Sequence, residues 1–257
     1  IVTGSISSAQ NIIKCCKLAG LSVDDIILGQ LASSEATLTP EEKEIGVALV
    51  DMGGGTSDIA VFANGSIKYT AILPFGGNSI TNDIAIGLRT PIDDAEKIKK
   101  KYGCAFSNMV GANETIEVPS VGGRKPRTLQ RKTLADIIEP RVEEVASLIY
   151  EEIKKSGMEK LLASGVVITG GCANLEGIPE LSESVFNLPS RRGNPIGVGG
   201  LVDVVNNPSY ATGVGLLVYG ARYARGRRGF DVGRSMRRMF GNQKLLSNMG
   251  KWFKEIF

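Results

Sequence analysis

At 257 residues the chain is about 1.7 times the usual single-domain length, and its 42% apolar content is ample for a packed core, so one large or two modest domains fit. No run of about 18 apolar residues exists to span a bilayer, and the absence of histidine removes Ser-His-Asp and Cys-His nucleophile systems along with His-ligated metals. The formal charge of +3 conceals a split, because residues 222–257 hold 10 basic and 2 acidic residues, a net +8, while residues 1–221 hold 20 basic and 25 acidic, a net −5.

An acidic body with a basic tail directs the tail toward an anionic surface, nucleic acid or lipid. Cys15, Cys16, Cys104 and Cys172 form no CxxC pair, so a reducing compartment is expected. The chain starts without Met in what reads as a strand, Ile1 to Thr3, and is read as part of a longer protein. A helix from about Ser8 to Leu18 is ended by Gly20. A strand at Asp25 to Leu28 and a short helix near Leu31 to Leu38 follow.

Thr39-Pro40-Glu41-Glu42 reads as a polar break. Beyond it the pattern predicts three strands, Ile45 to Met52, Asp58 to Phe62 and Ser66 to Leu73, with Asn64-Gly65 as the hairpin turn. Helices are predicted near Ser79 to Leu88 and Asp93 to Tyr102, then a short strand, Thr115 to Val118, in a Gly/Pro/Arg-rich stretch. Thr133 and Asp136 resemble a capping box, with Pro140 restarting the helix as a first-turn residue. Val142, Val145, Leu148, Ile149 and Ile153 supply its apolar face. A strand at Gly165 to Thr169 and helices near Ile178 to Phe186 and Ser209 to Ala224 complete an α/β pattern.

The strongest local signal is an apolar strand that delivers Asp51 to its end, followed by Gly53, Gly54, Gly55 and Thr56. Backbone N–H groups of such a turn can gather around phosphate oxygens, and Asp51 is placed to hold Mg²⁺ through water. The alternative is a plain glycine hairpin. Val166 to Thr169 ends in the same manner at Gly170-Gly171, where a flat or phosphate-bearing ligand could lie against the backbone. Between them lie Gly76-Gly77 and the helix bearing Glu96 and Lys99, whose bland reading is a solvated charged face.

In order and spacing these features resemble the actin/Hsp70/sugar-kinase superfamily. With Pro119-Ser120-Val121-Gly122-Gly123-Arg124, Ile138-Glu139-Pro140-Arg141 and Gly213-Val214-Gly215-Leu216-Leu217-Val218-Tyr219-Gly220 they resemble, more closely, the FtsA family of bacterial cell-division proteins. The resemblance implies an actin-like (RNase H-like) α/β fold. Residues 1–40 would be the remnant of a first actin-like domain. Residues 41–223 would be the second, with a core at about 41–90 and 163–208, an inserted subdomain at about 91–162 and a closing helix at 209–223. It also implies ATP and Mg²⁺ as ligands. Asp51 would coordinate Mg²⁺–phosphate, Gly53, Gly54, Gly55 and Thr56 would contact the β/γ-phosphates, Glu96 and Lys99 the ribose and base, and Gly170 and Gly171 the adenosine. Gly76 and Gly77 would shape the cleft wall. The first phosphate loop of the family would lie upstream of Ile1, so the chain alone is expected to bind ATP weakly.

Residues 224–243 read as a basic flexible linker with a reach of about 25 Å. In residues 244–257, Leu245, Leu246, Met249, Trp252, Phe253, Ile256 and Phe257 form one helical stripe, bordered by Lys244, Lys251 and Lys254. Such a helix is about 21 Å long, suited to lie in a membrane interface rather than cross it. The alternatives are docking on its own core, or nucleic acid, which the apolar stripe disfavours. The resemblance implies the same membrane-targeting helix. It further implies an adaptor that tethers FtsZ polymers to the cytoplasmic face of the inner membrane at the septum, self-associates into actin-like filaments and recruits later division proteins. The FtsZ C-terminal peptide would dock on the inserted subdomain, where Arg124, Arg127 and Arg131 are candidates and a solvated loop is the alternative. A phosphotransferase or ATPase with the same cleft is the rival function. Ending the chain at Gln243, or Trp252→Glu, should abolish co-sedimentation with anionic vesicles; equal pelleting of intact and shortened chains would reject the interfacial helix.

Overall fold

The computed structural model describes residues 3–120, 122, 124–199 and 205–227. Contacts divide the chain into two units, Ile1–Val218 and Tyr219–Phe257. The first holds a five-stranded sheet, in spatial order Ser66–Leu73 (β3), Ser57–Ala63 (β2), Val47–Met52 (β1), Val166–Thr169 (β6) and Ser190–Arg192 (β7).

The central strand, β1 (Val47–Met52), is a continuous apolar run, and every residue but Asp51 is buried. It pairs antiparallel with β2 (Ser57–Ala63) and parallel with β6 (Val166–Thr169). β3 (Ser66–Leu73) forms one edge, reached through Asn64 and Gly65, both at positive φ as the hairpin signal requires. The three-residue β7 (Ser190–Arg192), not foreseen from sequence, forms the other edge.

Because side chains alternate along a strand, β1 feeds two cores. Ala48, Val50 and Met52 join the larger, against α4 (Gly77–Leu88), α5 (Ile92–Tyr102), α6 (Arg131–Lys155) and α7 (Ile178–Phe186). Val47 and Leu49 join the smaller with Leu38, Ala60, Phe62 and Val167. β4 (Thr115–Val118) pairs with β5 (Arg127–Gln130) in a separate two-stranded sheet.

Several elements differ from the sequence pattern. The polar break at Thr39 is the start of a helix, α3 (Pro40–Ile45). Thr39 Oγ1 accepts from the Glu42 N–H while Glu42 Oε2 accepts from the Thr39 N–H, a reciprocal cap that outweighs the polar composition. Ile45 therefore belongs to α3 and not to β1. Residues 25–28 are irregular, with no partner strand among the described residues to fix them extended. Ile1 and Val2 of the expected first strand lie outside the described residues, and Thr3 is irregular. α1 (Ile6–Leu18) and α2 (Gly29–Thr37) agree with expectation.

α6 runs unbroken through Pro140, and Thr133 lies inside it instead of capping it. Pro140 forfeits one helical bond, but Ile138 and Val142 on either side are both buried in the larger core, which holds the two halves in line. Gly170-Gly171 leads into a 3-10 turn, Gly171–Asn174, ahead of α7. The last helix, α8 (Ala211–Arg227), follows a 3-10 turn at Pro208–Tyr210. Residues 228–257, with the membrane candidates Lys244, Leu245, Leu246, Met249, Lys251, Trp252, Phe253, Lys254, Ile256 and Phe257, lie outside the described residues.

β6 begins where Gly165 adopts φ +70°, and a Cβ there would stand 1.9 Å from the Pro189 carbonyl oxygen. That same oxygen accepts from the Val166 N–H at 2.8 Å, so it cannot retreat without breaking the β6–β7 junction. Gly165→Ala should therefore cost at least about 2 kcal/mol, read as a lowered urea midpoint.

Candidate functional site

Parallel pairing brings the ends of β1 and β6 side by side, with Asp51 opposite Thr169. The turn after β1 is closed by a bond from the Gly53 N–H to the Thr56 carbonyl at 2.9 Å. The N-terminus of α4 then docks on it: Gly77 N–H donates to Gly53 O at 2.9 Å and Asn78 N–H to Gly54 O at 2.8 Å. A Cβ on Gly76 would lie 2.6 Å from Gly53 O, so Gly76 is required by this close approach. The turn after β6 packs equally tightly, since Gly170, at φ +85°, would place a Cβ 2.5 Å from Asp51 Oδ1 and 2.6 Å from Met52 O.

These contacts frame a cleft of about 650 Å³, bordered by Gly53, Gly54, Gly77, Asn78, Glu96 and Lys99 on one part of its wall. Gly171, Cys172, Asn174, Glu176, Ser209 and Arg131 border another. The structure thus brings Gly53, Gly54, Gly77, Glu96, Lys99 and Gly171 around one space. Gly76 and Gly170 sit behind the wall as packing glycines. Gly55 and Thr56 are exposed outside the lining, and a Cβ on Gly55 would meet nothing within 4 Å. Asp51 is half-buried, outside the lining, with Oδ2 accepting from Ser33 Oγ at 2.7 Å and Thr212 Oγ1 at 3.0 Å.

Electrostatics favour an anionic guest. Lys99, Lys100, Lys101 and Arg131 border the cleft against two carboxylates, Glu96 and Glu176. Both carboxylates are already engaged. Lys99 Nζ lies 2.6 Å from Glu96 Oε2, donates to Gly77 O at 2.9 Å and to Thr81 Oγ1 at 2.8 Å, while Thr81 Oγ1 lies 2.5 Å from the same Glu96 oxygen. Burial pushes the Glu96 carboxyl upward, but the hydrogen bonds from Lys99 and Thr81, with the Lys99 charge, prevail and hold it below its ordinary value. Burial raises the Cys172 thiol, whose Sγ lies 3.2 Å from Gly53 O as a donor. Burial, and then the charge of Asp51, raises Asp58, which faces Asp51 across the β1–β2 pair.

Arg131 is drawn to this cleft: Nε donates to Tyr102 O at 2.8 Å, and the guanidinium pairs with Glu114 at 2.8 Å and with Glu176. Arg127 donates to Leu88 O, and Arg124 is exposed. Sequence reasoning missed Asn78, Thr81, Cys172 and Asn174. Cys172 and Asn174 directly follow the paired glycines and were within reach of that motif. Ser33 and Thr212 carry no local signal.

The donor set fits a nucleotide. The volume lies within the usual range of ligand sites, and the N–H of Gly54, at the cleft wall, takes no part in the turn's own hydrogen bonds. The family described as "Cell division protein FtsA" matches residues 48–215. The FtsA protein of Pseudomonas aeruginosa is 54% identical over 220 residues, 86% of this chain and 53% of that protein. That of Escherichia coli K12 is 46% identical over 227 residues, 86% and 54%. The chain spans about half the length of these two curated relatives. Among solved structures, MreB5 of Spiroplasma citri bound to ADP superposes with a TM-score of 0.71 at 16% identity, over 87% of this chain and 68% of that one. The MamK double helical filament gives 0.61 at 15%, over 83% and 64%. Both share the actin-like fold.

A carboxylate held below its ordinary value stabilises the fold above that value and loses the contribution as pH falls through the lowered one. Lys99→Met should cost about 1–2 kcal/mol at neutral pH. The difference from the parent should narrow as pH drops below the ordinary carboxylate range; urea titrations across pH 3–7 check both.

Proposed function

Since the chain belongs to the FtsA family of cell-division proteins, we propose that it is an ATP-binding, actin-like adaptor that tethers FtsZ polymers to the cytoplasmic face of the inner membrane at the septum. The observation that carries the nucleotide part is the convergence of Gly53, Gly54, Gly77, Glu96, Lys99 and Gly171 on one cation-bordered cleft. The Gly54 N–H, at the cleft wall, would receive phosphate oxygens, with Lys99 and Lys100 adding positive charge nearby. Glu96 Oε1, which among the described residues meets only the exposed Lys100, at 3.3 Å, would accept from ribose hydroxyls. Gly171 and Asn174 would lie against the adenosine. Mg²⁺ would neutralise phosphate charge, and Asp51 would hold it through water, since Mg²⁺ dehydrates reluctantly.

The adaptor reading is favoured over a phosphotransferase by the chain's membership of a family of cell-division proteins. Filament formation is supported by the shared fold with MamK, solved as a double helical filament. Membrane attachment rests on residues 244–257, and no described helix is long and apolar enough to cross a bilayer. The FtsZ peptide would dock near the β4–β5 sheet, where Arg124 is exposed. Later division proteins would be recruited to the resulting polymer.

In the protein at full length, Asp51→Ala should weaken Mg-ATP binding about tenfold or more, measured by calorimetric titration. Unchanged affinity would refute the metal role. Fast turnover dependent on an added acceptor would favour the phosphotransferase.

A further inference from the structure

Asp51 presents its two carboxylate oxygens to different surroundings. Oδ2 accepts from Ser33 Oγ at 2.7 Å and from Thr212 Oγ1 at 3.0 Å, and the two hydroxyl oxygens stand 2.9 Å apart. Oδ1 accepts from none of the described residues and faces bare Gly170, where a Cβ would approach it to 2.5 Å. The three groups come from distant parts of the chain: Ser33 from α2, Asp51 from the end of β1, Thr212 from the first turn of α8. Ser33 is fully buried. Two hydroxyls brought from separate helices to one oxygen constitute a built arrangement, whereas a carboxylate needed only for solvation would have stayed in water.

We propose that Ser33 and Thr212 are positioning residues that lock the Asp51 carboxylate in the orientation required for Mg²⁺-dependent nucleotide binding. Each hydroxyl donates its single proton to Oδ2, which fixes the rotation of the carboxylate and uses up the near side of that oxygen. Oδ1 is thereby the oxygen left to take a metal-bound water. Neither hydroxyl touches the ligand. Their effect passes through Asp51 and is specific to the metal-dependent part of binding. The inference rests on the reading of Asp51 as the Mg²⁺–phosphate carboxylate.

The test compares ATP affinity in Mg²⁺ with ATP affinity in EDTA, on the protein at full length, by calorimetric titration with melting temperature recorded alongside. In Thr212→Val, which keeps shape and removes the donor, the ratio of the two affinities should fall roughly tenfold, the scale of one hydrogen bond to a charged group. Thr212→Ser should restore it. Ser33→Ala should produce the same loss, and this variant carries the test if Thr212→Val does not fold. An unchanged ratio, or an equal fall in both conditions, would overturn the positioning role. A parental ratio of one would instead remove the metal reading of Asp51, and the positioning role with it.

Discussion

The ends of β1 and β6 meet at a distance that only a residue without Cβ allows. At Gly170 any side chain would collide with Asp51 Oδ1 and with the Met52 carbonyl, and at Gly76 with the carbonyls of Gly53 and Gly54. The cleft depends on these two contacts. They bring the turn after β1, the turn after β6 and the N-terminus of α4 into one wall, and the helices that carry Glu96, Lys99 and Arg131 are placed by packing on that frame. A glycine can thus be indispensable to a site without touching its ligand.

The polar groups around this frame are arranged in pairs. Glu96 is held by Lys99 and Thr81, Glu176 and Glu114 by Arg131, and Asp51 by Ser33 and Thr212. An unpaired charge this close to the core would cost several kcal/mol or shift its protonation. The pairing leaves an excess of cations at the cleft and keeps each carboxylate in one orientation. α2 joins this network through Ser33: its Ser33, Ser34 and Thr37 are buried, and Thr37 and Ser34 return their hydroxyls to the helix's own backbone.

Much of the frame was legible in the chain as written. The run from Val47 to Met52, the hairpin at Asn64-Gly65 and the periodicity of α4, α5 and α7 matched the structure because each is set by local sterics or by a single hydrophobic period. Glycines of three of the glycine runs, Gly53-Gly54-Gly55, Gly76-Gly77 and Gly170-Gly171, border the cleft. The runs did not reveal which glycines line it, since Gly77 and Gly171 differ from Gly76 and Gly170 only in what lies across from them. β5 and β7 were not legible: each is three or four residues long, polar, and extended only because a neighbouring strand supplies its hydrogen bonds.

The sequence by itself determined that this is an α/β chain with an apolar strand running into Gly53-Gly54-Gly55, a second glycine-ended strand at Val166 to Thr169 and a basic tail, because those features are encoded in spacings of a few residues. The tertiary structure alone decided where the charged groups act. Arg131 stands in a basic stretch beside Arg124 and Arg127, yet it turns to the cleft because Glu114 and Glu176 meet it there. Ser33 and Thr212, 179 positions apart, share one oxygen of Asp51 because α2 and α8 converge on the end of β1. Contacts between residues that far apart leave no trace in a local pattern, since they exist only once the sheet has formed and brought the helices together.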